Sequence, residues 1–315
     1  MRKITLSVAT LALITSSALA ADLPWHKGPP VLPPPPPPPP MWTGFYAGLN
    51  LGGGVSTSTT VTTIGYSVYD WAAGAYNLPF GWTSGYRAGN ASVGQAGVVG
   101  GGQIGYNYQV SPHFVLGFET DFQGTSISGS GTSYGLTGAS GNTANPAENF
   151  LHLQNGVVNA SAGIGWIGTV RGRVGFLATP SLLLFATGGF AYGNTYASVG
   201  TSGYHWHPGN EIAHPENPVT PTWTSLSSTR VGWTVGGGAE WMFLQNWSAK
   251  VEALYYDLGS QSVGGQFSPL INPAAPNSIA IINGATTTFN YQGVIARIGV
   301  NYHFDWRPTS VVARF

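Results

Sequence analysis

From Gly165 to Tyr192 the chain alternates residue by residue between two kinds of side chain, and this alternation constrains the fold more than any other feature. Val170, Val174 and Phe176 fall on one face and Thr169, Arg171 and Arg173 on the other, with Gly172 among the apolar positions. A strand with one oily and one charged face has two homes. In a soluble sandwich the charged face meets water. In a closed barrel the oily face meets lipid and the arginines point inside.

Composition separates the two. Charged residues make up 7% of the 315 residues, against about 25% in an ordinary soluble domain. A water-exposed surface built from this chain would be almost uncharged, so a second solvent is implied. The net charge of zero leaves no basic excess for a nucleic-acid backbone, so nucleic acid is excluded as a partner. The absence of cysteine excludes disulfides, thiolate metal sites and a cysteine nucleophile.

Met1-Arg2-Lys3, the apolar run Ile4 to Leu13 and the small-residue site Ala18-Leu19-Ala20 read as a cleaved signal peptide over 1–20. Residues 21–41 form a proline-rich periplasmic linker. Its run Pro33 to Pro40 makes a polyproline II rod of roughly 25 Å, at about 3.1 Å per residue. No later stretch has the apolar length of a transmembrane helix. A chain that spans a bilayer without such a helix must close its backbone hydrogen bonds in a barrel.

The strand pattern is expected over 43–55, 95–110, 113–124, 161–178, 181–197, 228–243, 247–258 and 289–304, an even count of eight. Short turns at Ser111-Pro112, Thr179-Pro180 and Leu244-Gln245-Asn246 alternate with the long polar stretches 56–94, 125–160, 198–227 and 259–288. Three short turns and four long connections are what an eight-stranded barrel requires when both ends lie on the short-turn side. The predicted fold is all-β: an antiparallel up-and-down transmembrane β-barrel over 42–304, with four long outer loops. Residues 305–315 are a C-terminal extension.

Alternation places nine charges inward: Glu119, Asp121, Arg171, Arg173, Arg230, Glu240, Lys250, Glu252 and Arg297. They are expected to pair in a polar plug, because an eight-stranded interior is just wide enough for side chains and an unpaired buried charge is costly. The opposite face of those strands is expected to carry no charge. It carries instead residues such as Phe118, Phe122, Val235, Val251, Ile298 and Val300. Trp42, Tyr46, Trp166, Tyr192, Trp241, Trp247, Tyr255 and Tyr302 lie near strand ends and are expected in interfacial aromatic girdles.

Three blocks carry a resemblance. They are Trp42-Thr43-Gly44-Phe45-Tyr46-Ala47-Gly48, the hairpin pair 168–175 and 186–193, and Arg297-Ile298-Gly299-Val300-Asn301-Tyr302-His303-Phe304. Together they resemble the small outer-membrane β-barrel proteins of alphaproteobacteria, OmpA-like barrels labelled porin-family or outer-membrane immunogenic proteins. The resemblance implies export to the outer membrane of a Gram-negative cell. It also implies contact with outer-membrane lipid and lipopolysaccharide, and a terminal aromatic read by the barrel-assembly machinery. Here eleven residues follow Phe304, with Pro308 making 305–310 a poor strand, so the chain departs from that pattern.

Other motifs add little. Gly100-Gly101-Gly102 and Gly236-Gly237-Gly238 lie in strands without a following helix or Gly-Lys-Ser/Thr, which argues against a phosphate loop. His205, His207 and His214 could ligate hemin iron or a divalent metal in an outer loop, a property the resemblance also implies for some relatives; a polar loop also carries histidine without function. The carboxylate pair Glu119 and Asp121 is explained by the plug without catalysis, and no nucleophile is positioned beside it. The expected protein is a monomeric, non-catalytic, cofactor-free barrel that supports the outer membrane and displays surface loops. Three alternatives stand beside it: a small-solute porin, a receptor for hemin or a host ligand, and a lipid-modifying enzyme.

Overall fold

The computed structural model describes residues 42–70, 89–140, 151–206, 217–264, 268–271 and 279–304. The expected signal peptide, the proline linker and the extension 305–315 lie outside the described residues. The strands are β1 (Gly44–Ser56), β2 (Thr60–Asp70), β3 (Gly89–Ser92), β4 (Ala96–Gln109), β5 (Phe114–Thr125), β6 (Ser128–Ser140), β7 (Leu151–Thr179), β8 (Leu182–Trp206), β9 (Asn217–Leu244), β10 (Trp247–Val263), β11 (Ser268–Ile271) and β12 (Ile279–His303).

Eight of them close a ring in the order β1, β4, β5, β7, β8, β9, β10, β12, and β12 pairs back onto β1. Stepping between partners from Tyr46 through Gly105, Glu119, Arg171, Gly189, Thr234, Tyr256 and Gly293 returns to β1 at Ser56, ten residues above the start. A stagger of ten over eight strands tilts them by about 40° and leaves an interior that side chains fill.

The strands run far past what a bilayer needs. β7 has 29 residues and β9 has 28, whereas a tilted transmembrane strand takes about 9–11. β2, β3 and β6 prolong β1, β4 and β5 beyond breaks at 57–59, 93–95 and 126–127. These breaks are neighbours: Val93 N donates to Thr59 O at 2.6 Å, and Ser126 N to Val98 O at 3.0 Å. β7 bulges beside them at Gly165, where Ile164 N donates to Ile127 O at 2.9 Å, and β10 bulges between Asp257 and Ser260.

Above this belt of breaks the barrel continues. The stretches 56–94, 125–160, 198–227 and 259–288, expected as loops, are therefore strand in large part, and the outer connections begin beyond Asp70, Ser140, Trp206 and Val263. Serine, threonine and glycine give these stretches the composition of loops. Many of their inward positions are nevertheless apolar, with Val61, Ala91, Ile127, Val158, Ala160 and Val199 buried, and that alternation is what a sheet packs on.

The interior has three storeys. Trp42, Val115, Leu177, Leu183 and Met242 close the short-turn end. Charged and amide side chains fill the middle. An apolar cluster including Ile164, Tyr256, Leu258, Phe289, Tyr291 and Ile295 fills the upper part.

The outer wall of the lower barrel is an apolar band. Leu49, Phe118, Val174, Val251 and Ile298 are all exposed there. Ring pairs border it, Trp247 with Tyr302 below and Trp166 with Tyr192 and Trp233 with Tyr255 above. An apolar band between aromatic girdles is the surface a barrel presents to lipid.

Two girdle assignments are corrected. Trp42 and Tyr46 are each 1% exposed and lie inside. Tyr46 shares the inward phase of β1, and Trp42 turns into the mouth of the barrel, where its Nε1 donates to Pro180 O at 2.9 Å. A third correction concerns charge. Asp257 shares the outward phase of Val251 and Tyr255 on β10, so the outer face is not free of charge.

Candidate functional site

The middle storey is built from five of the eight walls, with β8 intervening between β7 and β9. Each strand contributes alternate residues, so Glu119 and Asp121 come from β5, Arg171 and Arg173 from β7, Glu240 from β9, Lys250 and Glu252 from β10, and Arg297 from β12. All eight are at most 3% exposed. Four are basic and four acidic, so the storey is neutral as a unit.

Arg171 is its centre. Its guanidinium pairs with Glu119, with Asp121 Oδ2 at 2.9 Å and with Glu252 Oε1 at 2.6 Å. Arg297 joins the same carboxylates from the other side, at 2.7 Å from both Asp121 Oδ2 and Glu252 Oε2. Lys250 Nζ stands 2.9 Å from Glu119 Oε2 and donates to Gln103 Oε1, also at 2.9 Å. A planar guanidinium can serve two carboxylates at once, which is why arginine rather than lysine holds the crossings.

A second group lies nearer the short-turn end. Arg173 pairs with Glu240, and its guanidinium lies 3.8 Å from the Phe185 ring centroid. Glu240 Oε1 also accepts from Asn301 Nδ2 at 2.7 Å and Ser248 Oγ at 2.6 Å. Tyr46 links the two groups, because its hydroxyl donates to Glu119 at 2.7 Å and Arg173 Nη1 reaches it at 3.4 Å.

Arg230 stands outside this network. It is ten residues above Glu240 on β9, beside the β10 bulge, and its Nε donates to Leu258 O at 3.0 Å. The bulge is made by Asp257, whose Oδ1 accepts from Gly259 N at 2.7 Å, and by Gly259 at φ 77°. Such a φ suits glycine. Arg230 thus serves a carbonyl beside the bulge rather than a carboxylate in the plug.

Tyr46, Gln103, Asn301, Ser248 and His303 are members of the network that charge alone does not signal. Their inward phase was readable. Their participation depends on height, which was not. Ser248 Oγ and His303 Nε2 are 2.9 Å apart, the spacing of a nucleophile and base. The hydroxyl has one proton and Glu240 lies at 2.6 Å to receive it. Both residues are buried above Trp42, whose ring packs edge-on against His303 with centroids 5.7 Å apart. This arrangement orients side chains in a closed interior and offers no substrate cleft.

The hemin candidates do not form a described site. His207 and His214 lie outside the described residues. His205 is the penultimate residue of β8, where its backbone pairs with Gln154 and Asn217.

No family model matches the chain. The chain is similar to the 31 kDa outer-membrane immunogenic proteins of Brucella melitensis biotype 1 and Brucella suis biovar 1. Each is 32% identical over 256 residues, covering 80% of this chain and 85% of the relative. It is also similar to the 22 kDa outer membrane protein of Rhizobium leguminosarum bv. viciae, 30% identical over 203 residues, which cover 60% of this chain and 72% of that one.

Proposed function

The chain belongs to the alphaproteobacterial family of outer-membrane immunogenic proteins, and from that premise we propose that it is a non-catalytic, non-conducting barrel that anchors a tall surface-presenting wall in the outer membrane. It is an outer-membrane protein of a Gram-negative bacterium. The observation that carries the reading is the middle storey. Eight charges, each with at least one opposite partner, cross the interior between two apolar storeys, and an ion crossing it would have to break charge-assisted hydrogen bonds in a closed space.

The upper barrel supports the second half of the reading. Strands that outrun the bilayer two- to threefold carry the connections away from the membrane on a stiff sheet. Display on a rigid platform lowers the ordering entropy that a partner must overcome. Outer-leaflet lipid is the surrounding partner in this reading, and Phe304, the aromatic residue that directly follows β12, is the feature offered to the assembly machinery.

Planar-bilayer recording on the refolded protein tests it. Current at the level of the bare membrane is expected across a broad voltage range. Stable ohmic steps from the unmodified protein would replace this reading by the porin one.

A further inference from the structure

The outer wall changes chemistry at the belt of breaks. Below it are the lipid band and the upper girdle of Trp166, Tyr192, Trp233 and Tyr255. Above it, many outward side chains are hydroxyls and amides that bond across neighbouring strands, set among exposed aliphatic side chains such as Ile64, Leu136 and Leu226. Thr132 Oγ1 donates to Asn159 Oδ1 at 2.9 Å between β6 and β7, and Asn194 Nδ2 to Ser227 Oγ at 3.1 Å between β8 and β9. Ser262 and Thr288 hydroxyls meet at 2.9 Å between β10 and β12. All these pairs are exposed.

Higher still stand open aromatic faces. Tyr134 on β6 is 80% exposed and Trp223 on β9 is 70% exposed. The Trp223 ring lies over Gly200 of β8, where a Cβ would collide with it. The glycine lets the indole lie flat on the wall, with one face against the sheet and the other free.

Charge is the discriminating feature. Among the described side chains no lysine or arginine faces outward on this wall, and the charge that does is Asp257, at its lower border. A surface that held phosphate groups would present guanidinium or ammonium donors. This one presents neutral donors and acceptors, an acid, a few aliphatic side chains and flat aromatic faces.

We propose that the wall above the girdle is a contact surface for the uncharged sugar units of the glycolipid in whose leaflet the barrel stands. A pyranose ring offers an apolar C–H face to an aromatic ring, and its hydroxyls match a ladder of hydroxyl and amide side chains. The wall is continuous with the lipid band, so a lipid whose chains lie against Phe122 and Trp233 carries its head group to the level of Asn194 and Ser227. The proposal rests on the placement of the lower wall in lipid, as does the proposed function.

The test uses the full chain refolded into three kinds of vesicle with matched acyl chains: phosphatidylcholine, phosphatidylcholine with a disaccharide-headed diacylglycerol, and phosphatidylcholine with phosphatidylglycerol. The readout is the temperature at which the folded gel band converts to the unfolded one. A higher midpoint is expected with the sugar lipid, unchanged by magnesium or a chelator. No rise is expected with phosphatidylglycerol. With Tyr134→Ala and Trp223→Ala together, the midpoints in plain and sugar-lipid vesicles should coincide.

Equal midpoints in plain and sugar-lipid vesicles for the unmodified protein would overturn the proposal. So would a rise confined to the anionic lipid, or a sugar-lipid rise that survives in the double variant. Failure to insert into any of the three vesicles would instead overturn the lipid-facing barrel itself, a distinguishable result.

Discussion

The Tyr46 hydroxyl reaches over Gly105 of the intervening strand to donate a 2.7 Å hydrogen bond to Glu119. A Cβ at position 105 would strike the Tyr46 ring, so the glycine is the space through which β1 touches β5. Packing and charge pairing are therefore not separable in this interior. Tyr46→Phe is expected to cost about 1.5–3 kcal/mol, the usual value of a hydrogen bond to a charged group, and Gly105→Val more than that. Urea titration of the folded gel band in vesicles measures both.

Arg171 is the hub, since removing it strips partners from Glu119, Asp121 and Glu252 together. Arg171→Met should destabilise by about 3–5 kcal/mol, the range for breaking one side of a buried pair. The loss should shrink when Asp121→Asn is added, with Asp121→Asn alone as the control, because the double variant returns the storey to three basic and three acidic groups and leaves Glu252 to Arg297. Urea midpoints for the three-variant series check this.

In the proposed reading the charges, rather than the apolar lower storey, close the interior. Trp42→Ala removes the largest side chain of that storey and should cost about 3–5 kcal/mol. Bilayer current should nevertheless stay at background, since the charged storey above is intact. Conductance appearing in this variant would place the seal at Trp42.

Depth on the outer wall is testable with one residue type. Val251 lies in the apolar band at 58% exposure, and Ser227 lies on the polar wall above the girdle. Val251→Arg is expected to cost about 2–4 kcal/mol and Ser227→Arg about 0–1 kcal/mol. Refolding yield and urea midpoint in vesicles compare the two, and equal damage would mean the boundary is misplaced.

The β10 bulge depends on backbone handedness. Gly259 has φ 77°, which costs an L-residue about 1–2 kcal/mol. Gly259→Ala should lower stability by that amount, and Arg230→Met should add its own loss by leaving the Leu258 carbonyl without its donor. The same titration reads both.

Much of the candidate site was legible before any coordinates. Side follows from a period of two, so Glu119, Asp121, Arg171, Arg173, Glu240, Lys250, Glu252 and Arg297 were all assigned to the interior by counting. The same counting grouped Arg230 with them, although it stands at the β10 bulge. Tyr46 was instead assigned to the girdle from its place near a strand end, although its phase on β1 points inward. The upper strands were hidden by composition: Ser, Thr and Gly between Ala and Val look like loop until the small apolar positions are seen to pack on one another.

By itself, then, the sequence determined that the chain is a one-side-oily β structure with a charged interior, because side-chain direction along a strand is a local property of the pleat. Height was decided by the tertiary structure. Which charges meet, where Trp42 closes the mouth, and where lipid gives way to the polar wall all depend on the ten-residue stagger that accumulates around eight strands. No segment contains that stagger, since it is set when β12 closes on β1.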